Sequence, residues 1–151
     1  MEFENIAAFK SNKGKELQAS PWMIITQEMV DQFATSTMDN QWIHIDTERA
    51  RRESPFGGPI AHGFLTLSLI SHLMSQSVKV KSAKMGVNYG LNKVRFVSPV
   101  PVGSKIRMVP TLTDYQLQGD NGLKSFWNCV VEIEGQEKPA CVAEWITLMF
   151  E

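Results

Sequence analysis

Hydrophobic and polar positions alternate most clearly in the last third of the chain. Trp127, Cys129, Val131 and Ile133 share one face of a segment running from Leu123 to Glu134, and Val142, Ile146, Leu148 and Phe150 share one face of another, Ala140 to Phe150. A period of two is that of a strand with one side on a core. Cys141, Ala143, Trp145 and Met149 make the opposite side of the last segment apolar too, so that segment is expected to be covered on both faces. Val87 to Val97 and Lys105 to Leu117 read as two further strands. Turn-forming residues separate the four: Pro99, Pro101 and Gly103, then Gly119-Asp120-Asn121-Gly122, then Gly135 with Pro139.

Upstream the period changes. Phe64 to Met74 is apolar nearly all round, the mark of a helix enclosed by the rest of its domain, and the turn-forming run Gly57 to Gly63 leads into it. Trp22 to Ile25 reads as a short strand, and Thr26 can cap a helix whose inner face carries Met29, Val30, Phe33 and Thr37. Asp46 caps a solvent-facing helical turn, Thr47 to Arg52, with acid early and base late along its dipole. Phe3, Ile6 and Phe9 stand at helical spacing, and Ser75 to Lys84 is a polar loop. The pattern predicts one α+β domain over residues 1–151, an antiparallel β-sheet wrapped around a central apolar α-helix.

Composition narrows the function classes. Hydrophobic residues at 43% and charged residues at 21% fit a globular chain with its own core, and a net charge of -1 gives no electrostatic reason for a nucleic-acid or anionic-membrane partner. The N-terminus lacks a basic segment followed by an apolar core, and no run approaches membrane-spanning length, so a cytoplasmic location is expected. Cys129 and Cys141 lie among apolar neighbours on consecutive strands and read as reduced packing residues, with a disulfide as the alternative. No zinc-ligand spacing is present; Asp39, His44, Asp46 and His62 would have to converge to hold a metal, and none is expected.

The candidate chemistry sits in Met38 to Ser71. Asp39 and His44 are too far round a continuous helix to act together, roughly 140° apart, so Asp39 to His44 is predicted to be a loop. If it curls back, carboxylate and imidazole flank one water and exchange protons with it near neutral pH. Otherwise Asp39 closes a turn and His44 packs at a strand start. Gly63, opening the apolar helix, lets a ligand approach amides that have no intrahelical acceptor, which suits a developing oxyanion.

These residues resemble the MaoC-like dehydratases and (R)-specific enoyl-CoA hydratases of the hot-dog fold. The family signature has the form Asp-x-Asn-Pro-aliphatic-His, then Pro-Ile-x-His-Gly and a hydrophobic helix. Asp39-Asn40-Gln41-Trp42-Ile43-His44 and Pro59-Ile60-Ala61-His62-Gly63 stand in those places. Gln41 and Trp42 replace the usual Asn-Pro, and Met38 stands where a Gly commonly precedes the Asp. The Gln-Trp-Ile-His form is similar to the nodulation protein N branch. Asn88-Tyr89-Gly90, Arg95-Phe96, Pro99-Val100 and Gly103 also follow the family's order, so the resemblance spans nearly the whole chain.

The resemblance implies a thioester of coenzyme A or acyl carrier protein as substrate, with coenzyme A part of the substrate and no separate cofactor. It implies reversible addition of water to a trans-2-enoyl thioester. Asp39, His44 and Gly63 are then the catalytic candidates, with Gln41, Ala61, His62 and Ser71 around the substrate. Ser71 either reaches the ligand or bonds back to its own helix, and His62 either contacts the ligand or fixes the Gly63 turn. Arg49, Arg51, Arg52, Lys84, Lys93 and Arg95 either meet phosphates or lie in solvent. A homodimer or higher homo-oligomer is expected. Two rivals share the architecture: an acyl-CoA thioesterase, and an acyl-CoA-binding protein without turnover.

Overall fold

The computed structural model describes all 151 residues. In chain order these form β1 (Glu2–Phe3), α1 (Ile6–Lys10), β2 (Met23–Ile24), α2 (Gln27–Thr37), α3 (Trp42–Ile45), α4 (Thr47–Glu53), α5 (Gly63–Ser68), α6 (Ile70–Ser77), β3 (Lys79–Val80), β4 (Met85–Phe96), β5 (Lys105–Gln118), β6 (Gly122–Ile133) and β7 (Cys141–Phe150). Five strands make one antiparallel sheet in the order β2-β5-β6-β7-β4.

The alternation in β6 does what its period requires. Leu123, Ser125, Trp127, Cys129, Val131 and Ile133 are all buried, and the partners of three of them in β7, Trp145, Ala143 and Cys141, continue the same wall. Ile106, Met108 and Leu112 extend it into β5, and Leu65, Ile70 and Leu73 press down on the wall from α5 and α6. A fully buried Leu such as Leu73 contributes about 1.5–3 kcal/mol by leaving water. Both cysteines carry free thiols on this wall; burial pushes Cys129 up to about 12 and Cys141 up to about 11.

The two sheet edges differ. Beyond β5 the edge is covered by β2 and by residues 14–20, where Gly14 and Leu17 donate to the carbonyls of Leu112 and Pro110. At the other end β4 has no outer partner, although Met85, Val87, Tyr89, Leu91 and Phe96 on it are exposed. No helix is long and apolar enough to cross a membrane.

Several expectations are corrected. Phe3 and Phe9 do pack together, ring centroids 5.5 Å apart, but Phe3 belongs to β1, which pairs in parallel with β3, and only Ile6–Lys10 is helical. Residues 75–84 are a loop only from Lys81 on: α6 runs to Ser77 and β3 follows, with the N-terminal ammonium donating to the Ser77 carbonyl. In α2 Thr37 is exposed, its hydroxyl bonding back to Phe33, and Ala34 takes the buried position instead. The central helix is covered on one side only, with Phe64, Ser68, Ser71 and His72 in solvent, and it is interrupted at Leu69 between α5 and α6. Finally, Asp39 to His44 is not all loop. His44 lies on the single turn α3.

Candidate active site

Two helix ends deliver the acid and the base. Thr26 caps α2 by accepting from the Met29 amide, and at the far end Met38 adopts the left-handed region (φ 61°, ψ 21°), turning the chain out of the helix at Asp39. Three residues later α3 begins, and Asp46 ends it while accepting from the Arg49 amide to cap α4. Gln27 ties α3 to α2, its Nε2 donating to the His44 carbonyl at 2.8 Å and to Asp31 Oδ1 at 2.9 Å.

The strap before the central helix holds the imidazole. The Ile60 amide donates to the Ile43 carbonyl (3.2 Å) and the Ala61 amide to the Val100 carbonyl (2.8 Å), which fixes the strap between α3 and the β4–β5 connection. His44 Nδ1 donates to the Ile60 carbonyl at 2.7 Å. Because a carbonyl only accepts, Nδ1 carries the hydrogen, and Nε2 is the nitrogen left free for proton exchange. His44 is only 8% exposed. Burial pushes its pKa below 6.5 and His62 pushes the same way, while the Ile60 carbonyl and Asp39 pull it back in part.

His62, 2% exposed, ends the strap. Its Nε2 donates to the Asp39 carbonyl at 3.0 Å and lies 4.0 Å from Asp39 Oδ2. Its ring stacks on His44 with centroids 3.8 Å apart and planes 25° apart. Asp39, His44 and His62 thus present donor atoms within 4.8 Å of one another. The nearness of Asp39 and His44 is the pairing raised from the sequence; that His62 joins them was not expected, and Asp46 has no part in it. Two ring nitrogens in the trio are committed to main-chain carbonyls, which makes proton exchange its better use. The Asp39 side chain is half exposed, so the pair opens to solvent on the carboxylate side.

Gly63 follows directly, and neither its amide nor that of Phe64 has a hydrogen-bond acceptor. The other candidates fall less close. Gln41 is exposed, with its amide 3.4 Å from Asp39 Oδ1. Ala61 is buried and its amide is already spent on Val100, so it offers a ligand no donor. Ser71 does not bond back to its helix; it lines a seam between the helix and β4, made of a space of about 250 Å³ walled by Leu67, Leu91 and Trp145 and one of about 430 Å³ walled by Met74, Val87 and Met149. Lys84 borders the larger space, while Arg95 donates to the Val94 carbonyl. Arg49 stacks on Trp42 and pairs with Glu53, Arg51 pairs with Glu48, and Arg52 lies near Glu53, so these cations are engaged with α3 and their own helix at the surface.

Sequence reasoning missed Gln27, Ile60 and Phe96 as site-builders. Ile60 acts through its carbonyl and Phe96 from a distant strand, and neither leaves a local signal. Gln27 follows a capping Thr, a position where a polar residue needs no special reason.

Residues 8–124 match the profile of the MaoC like domain. The chain belongs to the MaoC-like family. This MaoC-like chain is 48% identical over 144 residues to 3-hydroxyacyl-thioester dehydratase Z of Mycobacterium tuberculosis, covering 95% of each. It is 46% identical over 146 residues to nodulation protein N of Rhizobium leguminosarum bv. viciae, covering 96% of this chain and 91% of that protein. The fold is shared with the (R)-hydratase from A. caviae involved in PHA biosynthesis (TM-score 0.69, 24% identity, 88% of this chain and 95% of that one). It is shared as well with the monoamine oxidase regulatory protein from Archaeoglobus fulgius (TM-score 0.77, 22% identity, 100% and 97%). The hot-dog architecture and the family read from Asp39–His44 and Pro59–Gly63 both hold.

Proposed function

We propose that this MaoC-like chain is a hydro-lyase that adds water reversibly to a trans-2-enoyl thioester and gives the (R)-3-hydroxyacyl thioester. One observation carries the reading: His44, its Nδ1 tied to Ile60 and its Nε2 without a hydrogen-bond partner, lies in one cluster with Asp39 and His62, next to the strap that leads to the unpaired Gly63 amide. The 48% identical relative named for 3-hydroxyacyl-thioester dehydration supports it.

In the hydration direction Nε2 of His44 takes a proton from water as the oxygen bonds to C3, and the C2=C3 electron pair moves onto the thioester carbonyl. The lowered pKa of His44 keeps the imidazole in its basic form for this step. The Gly63 amide donates to the new oxyanion, a contribution of about 3–4 kcal/mol in comparable sites. The proton on Nε2 then passes to C2 as the carbonyl re-forms, so water is divided between C3 and C2 and the imidazole is restored. Asp39 accepts the second hydrogen of the water and orients its lone pair toward C3.

The acyl tail lies along the seam of Leu67, Ser71, Leu91, Trp145 and Met74. Ser71 is about 12 Å along the helix from Gly63, so this seam receives the far part of the chain. Coenzyme A or acyl carrier protein carries the thioester, and the reaction draws on no further cofactor. A second copy of this chain covers the exposed apolar residues of β4, forming a homodimer.

Crotonyl-CoA tests the reading. Loss of the conjugated enoyl absorbance without release of free thiol is the expected result. Thiol release would make the chain a thioesterase, and binding without any change in absorbance would make it an acyl-CoA-binding protein.

A further inference from the structure

The His62 ring is stacked on His44 at 3.8 Å and packed against the tilted ring of Phe33 at 5.0 Å, and 2% of the residue reaches solvent. A ligand has no surface of this ring to touch. Of the two roles the sequence leaves open for His62, contact with the ligand and fixing the turn, this burial favours the second.

Its remaining contacts all lead to the reacting pair. No backbone-to-backbone hydrogen bond involves Asp39 or Asn40, and the one other contact to this turn is the long approach of the Gln41 amide to the Asp39 carboxylate. The chain enters the turn through Met38 in a conformation that a side chain disfavours. What anchors the Asp39 main chain is the hydrogen bond from His62 Nε2 to its carbonyl. On the other side of the same ring lies the catalytic imidazole. One side chain thus sets the position of the carboxylate-bearing residue and the plane of the base.

A packing role alone does not account for a histidine here. Its Nδ1 is buried and has no hydrogen-bond partner, a cost that a phenyl ring of similar size avoids while filling the same space. The cost is offset only by what the other nitrogen does. A glutamine would reach the Asp39 carbonyl and lose the stack; a phenylalanine would keep the stack and lose the donor.

We propose that His62 is a positioning residue, which by donating to the Asp39 carbonyl and stacking on His44 holds the carboxylate and the imidazole at the separation that water addition needs. This rests on the hydro-lyase reading for its effect on rate, though not for its effect on the turn. Asp39 from the turn and His62 from the helix entrance are the titratable groups acting on His44.

The test compares H62F and H62Q with the native protein, using crotonyl-CoA hydration and the backbone amide order parameters of Asn40 and Gln41 in the free protein. Thermal melting checks that each variant is folded. H62F is expected to lower kcat by ~100-fold, the scale of a small misplacement of reacting groups, with KM changed less than about threefold. It should also lower the order parameters of Asn40 and Gln41, because the carbonyl beside them loses its anchor. H62Q, which keeps the donor, is expected to return the order parameters toward native and to recover part of kcat. If H62F raises KM and leaves kcat and the order parameters unchanged, His62 is a substrate contact and the proposal is overturned. Native kcat and native order parameters in H62F overturn it equally. If the native chain hydrates no enoyl-CoA, the hydro-lyase reading fails, and the order parameters alone decide whether His62 holds the turn.

Discussion

A Cβ built on Gly63 would stand 3.2 Å from the ring of Phe96. The ring therefore closes over the start of the central helix from β4, and Phe64 packs against it edge-on with centroids 5.8 Å apart. At this residue glycine serves close approach rather than a positive φ. Gly63→Ala must shift the half-exposed Phe96 ring by a few tenths of an ångström or tilt the helix start, at a cost of about 1 kcal/mol, the low end of overpacking. Because the same displacement moves the Gly63 amide, hydration should fall by ~100-fold. Gly63→Ala with Phe96→Leu should recover most of the melting temperature. Denaturant unfolding and kcat of the two variants check this, and full recovery of kcat in the double variant would show that the ring alone was at fault.

Met38 invites the opposite change. It ends α2 at φ 61° with its side chain 83% exposed, so nothing in the fold compensates the left-handed strain of a residue with a Cβ. That strain is about 1–2 kcal/mol, and the added freedom of glycine in the unfolded chain offsets part of it. Met38→Gly is expected to raise stability by ~0.5–1 kcal/mol by denaturant titration while leaving the Asp39 turn in place. A loss of stability would mean that the exposed side chain is covered in solution.

These two positions also mark how far sequence reaches. Alternation located the four long strands to within about two residues because a half-buried strand writes its period into neighbouring positions. Thr26 and Asp46 announced α2 and α4 because a cap is a local bond. The pairing of β1 with β3 joins residues far apart in the chain over two positions each, too short to leave a period. The site divides in the same way. Asp39, His44 and Gly63 are legible as residue types that can do acid-base and oxyanion chemistry. What the Ile60 carbonyl, Gln27 and the His62 ring do for them depends on a strap crossing a helix turn, and no spacing along the chain encodes that. The open side of the central helix is hidden for a related reason: periodicity records which residues are apolar and cannot record which face is left uncovered.

Gln27 gives a sharper case of support at a distance. Its Nε2 donates at once to the His44 carbonyl and to Asp31. Gln27→Ala removes one bond between α2 and α3, expected to lower stability by about 1 kcal/mol and kcat several-fold. Gln27→Glu places an acceptor against a carbonyl and a carboxylate, with no donor between them. It is expected to cost more, about 1–3 kcal/mol, and to approach the stability of Gln27→Ala only as pH falls and the introduced carboxylate takes up a proton. Melting temperatures of both variants, followed from about pH 8 down to about pH 4 at the edge of the carboxylate range, separate the outcomes.

The pH dependence of the native protein follows from the burial of His44. Its pKa in the folded chain lies below 6.5, chiefly through desolvation. At a pH between the two values the unfolded chain holds a proton that the native chain does not, so stability rises with pH across that window. The contribution is fully present above pH ~6.5 and is lost as pH falls through the folded value. Activity has the same sign, because only neutral His44 can take a proton from water. The acid limb of kcat/KM for crotonyl-CoA hydration is therefore expected below 6.5, and reduced stability toward acid should diminish in His44→Phe. An acid limb above 6.5 would show that the folded chain holds the His44 proton more tightly than a free imidazole does, and would overturn the sign argued from burial.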